Sequence, residues 1–255
     1  MSLLQVDALS IAFGGVKAVD NVSFEVNEGE IFTIVGPNGA GKSTIFNLIS
    51  RLYEPLNGRI VFDGKDITRL PAHDIAKLGI ARTFQNIELF DHSSVLQNLL
   101  IGRHSQRDTN WIQDLLFLPK VRRSEREHRL QVEKIIDFLE LAPYRDKLIA
   151  GLPYGIRKVV EIARALAANP KLILLDEPAS GLSVEETSEM AWWIEDMQKD
   201  LGLTILMVEH DMSLVNRVSN RVLAVAEGKF LAQGSAAEVQ ADPQVIEAYL
   251  GQEGA

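Results

Sequence analysis

The order of apolar and polar residues along the chain predicts strands that alternate with helices. Val22, Phe24 and Val26 alternate with polar residues, which is typical of a half-buried strand. Residues 31–35 are apolar except for Thr33 and predict a buried central strand, with an apolar helix soon after it. Further apolar runs predict three more strands, at residues 172–175, 203–208 and 222–226. Strands joined by helical crossovers indicate an α/β fold with a mostly parallel sheet.

The middle of the chain follows a different pattern. Between about residues 93 and 168 the strand signals disappear, and apolar residues recur at helical spacing, as in Val132, Ile135, Ile136 and Leu139. We therefore expect a single domain over residues 1–255. In this domain a helical subdomain, about 93–168, is inserted into a core formed by residues 1–92 and 169–255.

Two local patterns add predictions for the core. Asn57-Gly58 lies between Tyr53 and the alternating Ile60 and Phe62, and Asn-Gly is a strong signal for a two-residue hairpin turn. A hairpin is therefore predicted at this dipeptide. Residues 184–199 predict a helix between two of the apolar strands.

Composition and charge exclude several classes of protein. The 255 residues are 46% hydrophobic and 24% charged, as in an ordinary globular protein. With 35 acidic and 26 basic residues the net charge is −9, which argues against non-specific nucleic-acid binding. The absence of cysteine excludes disulfides and thiol nucleophiles. We expect no membrane-spanning segment and no signal peptide, because no apolar run approaches the necessary ~20 residues.

A glycine-rich segment after the first buried strand fits the pattern G-x-x-x-x-G-K-[ST]. Its residues are Gly36, Pro37, Asn38, Gly39, Ala40, Gly41, Lys42, Ser43 and Thr44. Backbone amides of such a loop surround a phosphate, the lysine reaches the β and γ oxygens, and the Ser43 hydroxyl can bind Mg²⁺. A glycine-rich structural turn is the alternative, but the strand before and the helix after favour a nucleoside triphosphate site.

Two acidic residues follow the apolar strand at 172–175. At a strand end beside a phosphate loop, Asp176 can hold Mg²⁺ directly or through water. Strand alternation predicts that Glu177 points to the opposite side, where its carboxylate can take a proton from attacking water. The alternative is that both acids only cap the next helix.

With these motifs in place, the chain resembles the ATP-binding-cassette (ABC) ATPases over nearly its whole length. Gln85, in Ala81-Arg82-Thr83-Phe84-Gln85, resembles the glutamine of the family's Q-loop, and His210 resembles its switch histidine. Leu152-Pro153-Tyr154-Gly155, followed by Glu161–Leu166, resembles the signature segment and its helix. Phe13 resembles the aromatic residue that stacks on adenine. Alone, each of these residues has an ordinary structural explanation, namely a core aromatic, a loop glutamine or a structural histidine.

The resemblance implies a fold, ligands and partners. The fold is a P-loop NTPase with a mostly parallel RecA-like core, an antiparallel β subdomain and the inserted helical subdomain. The ligands are ATP and Mg²⁺, with Gln85 reaching the metal or the water and His210 sensing the γ-phosphate. In the family, the signature segment, here with Tyr154 and Gly155, closes over ATP held by a second ABC ATPase subunit. That partner is either a second copy or a different chain.

Two positions depart from the family's usual sequence. The signature reads Leu-Pro-Tyr-Gly-Ile in place of Leu-Ser-Gly-Gly-Gln, so Pro153 offers neither a hydroxyl nor an amide hydrogen. The helix expected to start near Gly155 still offers free amides to a γ-phosphate. Ser183 stands where the family commonly has aspartate.

Several features resemble the ATPase subunits of bacterial branched-chain (hydrophobic) amino-acid importers. They are the relaxed signature, an insertion between Gly102 and Arg129 with Trp111 and Phe117, and the ending Asp242–Gly251. This branch implies transmembrane permease subunits, a secreted substrate-binding protein and a place on the cytoplasmic face of the inner membrane. The alternatives are an ATPase for lipopolysaccharide or urea transport, or a soluble ABC ATPase acting on DNA or the ribosome.

Overall fold

The computed structural model describes residues 1–85, 87–103 and 119–250, with the side chains of 119–122 left out. The chain divides into two compact units. The first contains residues 1–82 and 171–255, and the second contains residues 83–170. The subdomain boundaries expected near 93 and 168 remain a prediction. Among the described residues, no helix is long and apolar enough to cross a membrane.

The strands of the described chain all belong to the first unit. They are β1 (Ser2–Phe13), β2 (Val16–Asn27), β3 (Ile31–Val35), β4 (Asn57–Phe62), β5 (Lys65–Asp66), β6 (Ile80–Arg82), β7 (Leu172–Asp176), β8 (Thr204–Val208), β9 (Arg221–Ala226) and β10 (Lys229–Gly234). The helices of this unit are α1 (Lys42–Ile49), α2 (Ala72–Leu78), α6 (Val184–Lys199), α7 (Met212–Val218), α8 (Ala236–Ala241) and α9 (Pro243–Leu250).

A six-stranded sheet in the order β10-β9-β3-β8-β7-β6 forms the mostly parallel core. Its strands pair in parallel except β9 and β10, which form an antiparallel pair. All five residues of β3 are buried, as predicted for a central strand covered on both faces. The strands predicted from the three later apolar runs are confirmed as β7, β8 and β9, and the predicted helix at 184–199 is confirmed as α6.

A second, antiparallel sheet has the order β2-β1-β4-β5. Val22, Phe24 and Val26 of β2 are buried while the residues between them are exposed, which confirms the alternating pattern. Apolar side chains from both sheets pack with those of α1 in one core. The loop between β3 and α1 is thereby fixed at both of its ends.

The prediction of a hairpin turn at Asn57-Gly58 is wrong. These residues begin β4, which pairs with β1 through Ser10 and Asn57. Gly58 is required there because a Cβ atom would lie 2.6 Å from the carbonyl oxygen of Asp7, at an irregularity of β1. The actual hairpin joins β4 to β5, and Asp63 and Gly64 form its turn with φ angles of 49° and 74°. Positive φ at both positions suits a hairpin turn.

The second unit contains helices α3 (Val95–Gly102), α4 (Pro119–Phe138) and α5 (Tyr154–Ala167). The predicted apolar face of α4 is confirmed by the burial of Val132 and Ile136. Short 3₁₀ turns at Ala142–Tyr144 and Ile149–Gly151 lead to α5. Trp111 and Phe117, assigned to a branch-specific insertion, lie outside the described residues.

Gly58→Ala should destabilise the first unit by about 2 kcal/mol or more, because the added methyl group meets backbone atoms and φ is +101°. Gly64→Ala is the matched control, since its φ is +74° but no atom lies within 4 Å of the added Cβ. It should cost only about 1 kcal/mol. Denaturant unfolding of the three proteins measures both values, and equal losses would contradict the close approach at Gly58.

Candidate nucleotide-binding site

The loop between β3 and α1 has a backbone that only glycine accommodates at two positions. A Cβ atom on Gly36 would lie 2.1 Å from the Val225 carbonyl oxygen, and one on Gly41 would lie 2.3 Å from that of Ala18. Gly41 also has φ +96°, in the left-handed region. The loop is therefore held against β9 and β2.

Lys42 lies at the start of α1 with its side chain folded back over the loop. Its Nζ donates to the carbonyl oxygens of Gly36 at 2.6 Å and Pro37 at 2.9 Å. Burial lowers the pKa of Lys42, while the negative charges of Glu177, Asp176 and Glu209 act in the opposite direction. The loop thus contains a buried ammonium group with carboxylates nearby.

The N-terminus of α1 adds further positive potential. Gly41 occupies the cap position, and no side chain makes a capping hydrogen bond there. Amides in the first turn of a helix lack intrahelical partners and face along the axis, where they attract anions. Asn38, Gly39 and Ser43 are exposed, so a ligand can reach this part of the loop. Together with Lys42, the loop is suited to bind a phosphate.

Asp176 ends β7 and is buried. Its Oδ2 accepts a hydrogen bond from Nη2 of Arg82 at 2.9 Å. The same guanidinium donates to Asn47 and Ser50 of the α1 region and lies over the ring of Phe46. Sequence reasoning missed Arg82, although a basic residue at the end of a short strand just before Gln85 was a usable signal.

Glu177 does not continue the strand, so the strand-alternation argument for its direction is wrong. β7 ends at Asp176, and Glu177 adopts φ +49°, a left-handed conformation that is uncommon for glutamate. Its amide donates to the carbonyl oxygen of Val208 at 2.9 Å, which fixes the turn against β8. The turn, rather than the pleat, sets the direction of this carboxylate.

His210 follows β8 and lies near Glu177. Its Nδ1 is 3.9 Å from Oε2 of Glu177 and 3.8 Å from Oε2 of Glu209. Both distances exceed those of a hydrogen bond. The imidazole is 55% exposed, whereas the Glu177 side chain is 15% exposed. An accessible histidine therefore lies beside a partly enclosed carboxylate.

Glu209 is a functional residue that sequence reasoning missed. It is fully buried, and its Oε1 accepts from the amide of Ala179 at 2.9 Å. Its Oε2 accepts from the amides of His210 at 2.8 Å and Asp211 at 3.1 Å. One carboxylate thus joins the segment after Glu177 to the segment that carries His210. An acidic residue directly after the apolar run 205–208 was the available signal.

Phe13 lies at the end of β1 with 46% of its surface exposed. Its ring meets that of Tyr53 edge to face, with centroids 5.2 Å apart. Tyr53 is also exposed, so the two rings form an accessible aromatic pair. Exposure suits Phe13 for stacking on a base better than for a place in the core. Sequence reasoning did not connect Tyr53 with Phe13.

Three predicted site residues belong to the second unit. Gln85 is exposed, and its carbonyl oxygen accepts from Nζ of Lys158 at 3.5 Å. Tyr154 is the first residue of α5 and is exposed, while Gly155 is buried. Pro153 caps α5 without a side-chain bond, consistent with the helix start predicted near Gly155. The first unit brings together the phosphate loop, Asp176, Glu177 and His210. Gln85, Tyr154 and Gly155 are described within the second unit.

Ser183 has a clear structural task. Its Oγ accepts from the amide of Glu186 at 3.2 Å, and its own amide donates to Glu186 Oε2 at 2.8 Å. This reciprocal capping box begins α6. Serine therefore caps the helix at the position where aspartate is common.

The chain resembles known proteins along almost its whole length. Residues 19–180 match the family described as ABC transporter, and residues 231–255 match the family described as branched-chain amino acid ATP-binding cassette transporter. The chain is 38% identical over 250 residues to BraF of Pseudomonas aeruginosa, a high-affinity branched-chain amino acid transport ATP-binding protein. It is equally identical to LivG of Escherichia coli, which has the same description. Each alignment covers 98% of both chains.

Solved structures give the same result for the fold. The ADP conformation of an ATP-binding cassette of an ABC transporter matches with a TM-score of 0.86 and 34% identity, covering 98% of this chain and 99% of that one. A nucleotide-free cassette matches with a TM-score of 0.85 and 33% identity over the same shares. The predicted fold class is confirmed.

Glu209→Gln should destabilise the protein by about 1–3 kcal/mol, because an amide group cannot accept from three backbone amides at once. Glu189→Gln, an exposed change on α6, is the control and should shift stability by less than about 0.5 kcal/mol. Chemical denaturation measures both. A Glu209 variant as stable as the control would contradict the assigned contacts.

Proposed function

The chain belongs to the ABC transporter family of ATP-binding proteins, and on that premise we propose that it is the ATP-hydrolysing subunit of a branched-chain amino-acid importer. The observation that carries the proposal is a buried Lys42 in a glycine-rich loop, with Asp176, Glu177 and Glu209 close enough to affect its pKa. The ammonium group and the helix N-terminus attract phosphate oxygens, and the carboxylates can bind a metal ion or accept a proton. Together they suit a nucleoside triphosphate.

The loop between β3 and α1 binds the phosphates of ATP. The β- and γ-phosphates accept hydrogen bonds from the amides of residues 39–44, and Lys42 exchanges its bonds to Gly36 and Pro37 for bonds to phosphate oxygens. Phe13 stacks on the adenine, which its exposed ring allows. Phosphate contacts supply the affinity, and the ring orients the base.

The residues present fit a magnesium ion. Mg²⁺ takes oxygen ligands from one or two protein groups, phosphates and water, and Ser43 and Asp176 provide a hydroxyl and a buried carboxylate. By its likeness to the Q-loop glutamine of the family, Gln85 is proposed as a third group. When bound, the ion neutralises charge that develops on the phosphate oxygens.

Hydrolysis needs a base and a group that recognises the γ-phosphate. Glu177 is partly enclosed and, as a carboxylate, accepts the proton of the attacking water. His210 lies 3.9 Å from it and donates to a γ-phosphate oxygen, which aligns the phosphate with the water. Glu209 holds both backbones, so the base and the sensor keep their spacing.

The partners follow from the family. Tyr154 and Gly155 at the N-terminus of α5 face the nucleotide of a second ATPase subunit, and permease subunits complete the transporter. The chain itself works at the membrane surface. A secreted binding protein delivers the substrate to the permeases and does not contact this chain.

The cargo assignment rests on likeness. Residues 231–255 match the family described as branched-chain amino acid ATP-binding cassette transporter. BraF and LivG are described as branched-chain amino acid transport ATP-binding proteins, and each aligns with 98% of this chain. These descriptions favour branched-chain amino-acid transport over the alternatives, which are transport of lipopolysaccharide or urea and work on DNA or the ribosome.

Glu177→Gln should reduce ATP turnover at least 100-fold while ATP binding is retained, because only the base is removed. Lys42→Ala should instead lose ATP binding itself. Glu185→Gln, an exposed change in the first turn of α6, is the control and should hydrolyse ATP normally. Phosphate release and nucleotide titration measure the two steps, and near-normal turnover by the Glu177 variant would remove this residue from the base role.

Deletion of the gene in its source cells should reduce uptake of labelled leucine, isoleucine and valine at least several-fold, with lysine uptake unchanged as the control. The wild-type gene should restore uptake and the Glu177→Gln form should not. Unchanged uptake of all three branched-chain amino acids would contradict the cargo assignment without affecting the ATPase assignment.

A further inference from the structure

Three charged residues lie on one face of α5, the helix that begins with the signature segment. Lys158, Glu161 and Arg164 are spaced three residues apart, so they follow one another along the same side of the helix. Lys158 and Glu161 are 3% and 2% exposed, which is unusual for charged residues. A hydrophobic face would pack at lower cost, so this set requires an explanation.

All three side chains bind backbone groups near Gln85. Glu161 Oε1 accepts from the amide of Phe84 at 3.1 Å, and the amide of Glu88 lies close enough to lower the pKa of this carboxyl group. Lys158 donates to the carbonyl oxygen of Gln85 at 3.5 Å, and Arg164 donates to that of Glu88. The helix thus holds the chain on both sides of Gln85.

Burial is the largest influence on the charge of Glu161, and groups of the second unit oppose it. Burial raises the pKa of Glu161, and the amides of Phe84 and Glu88 and the charges of Lys158 and Arg164 act in the opposite direction. The buried carboxylate is therefore stabilised by the two backbone segments that it joins. Removing it takes an acceptor from the Phe84 amide and a negative charge from the surroundings of Lys158 and Arg164.

We propose that Lys158, Glu161 and Arg164 are positioning residues that set the backbone conformation at Gln85, on which the function of its side-chain amide depends. The proposal rests on the role given to Gln85 under the proposed function. The contacts are to backbone atoms, so they fix where Gln85 stands without touching ATP. Lys158 Nζ also lies 6.0 Å from the ring centroid of Tyr154, which places the signature residue and the Gln85 backbone around one ammonium group.

Hydrogen exchange tests the contacts without reference to activity. In the full-length Glu161→Gln protein, at least one of the amides of Phe84 and Glu88 should exchange about tenfold faster or more, because the neutral side chain keeps a single acceptor oxygen. Glu133→Gln is the matched control in the same unit, since Glu133 pairs with Arg145 and not with these amides. Unchanged exchange at both amides would overturn the proposal. If Glu161→Gln does not fold, Lys158→Met is the second variant, with Lys158→Arg as its conservative rescue.

A double-mutant cycle separates positioning from general stability. Glu161→Gln should lower kcat about tenfold with KM for ATP changed less than twofold, and it should have no further effect in a Gln85→Ala background. Equal fold-losses in both backgrounds would mean that Glu161 only stabilises the unit, and this would overturn the proposal. If the wild-type chain hydrolyses no ATP, the proposed function fails. The exchange experiment still tests whether Glu161 contacts the backbone near Gln85.

Discussion

The ammonium group of Lys42 is buried in the loop proposed to bind phosphate, and burial alone disfavours its positive charge. Three carboxylates, Glu177, Asp176 and Glu209, oppose this effect. Glu177 and Asp176 are also the residues proposed as base and metal ligand, and Glu209 anchors the neighbouring backbone. The site therefore depends on a local balance of charge that the two strand ends of β7 and β8 bring to the loop after β3.

Much of this arrangement was predictable because the signals are local. The strand at 31–35, the glycine-rich loop and the strand ending in Asp176 each combine an apolar run with a fixed spacing. The helix expected around 184–199 is also a local feature, and in the structure a capping box of Ser183 and Glu186 begins it. Family likeness then gave Gln85 and His210 roles that no short pattern establishes.

The failures came from contacts between distant parts of the chain. Asn57-Gly58 has the composition of a turn, but Gly58 is present because β1 passes too close for a side chain. Glu177 has a positive φ that no pattern of alternation predicts. Arg82, Glu209 and Glu161 were overlooked because their partners are backbone groups or residues far along the sequence. Sequence reasoning finds groups that meet a ligand more easily than groups that hold such residues in place.

The two bonds from Lys42 to its own loop also bear on which anions the site accepts. The ammonium group donates to the carbonyl oxygens of Gly36 and Pro37. An anion bound at Lys42 has to replace both contacts. A polyphosphate offers several acceptor oxygens for this exchange and for the helix amides, whereas a small monovalent anion does not.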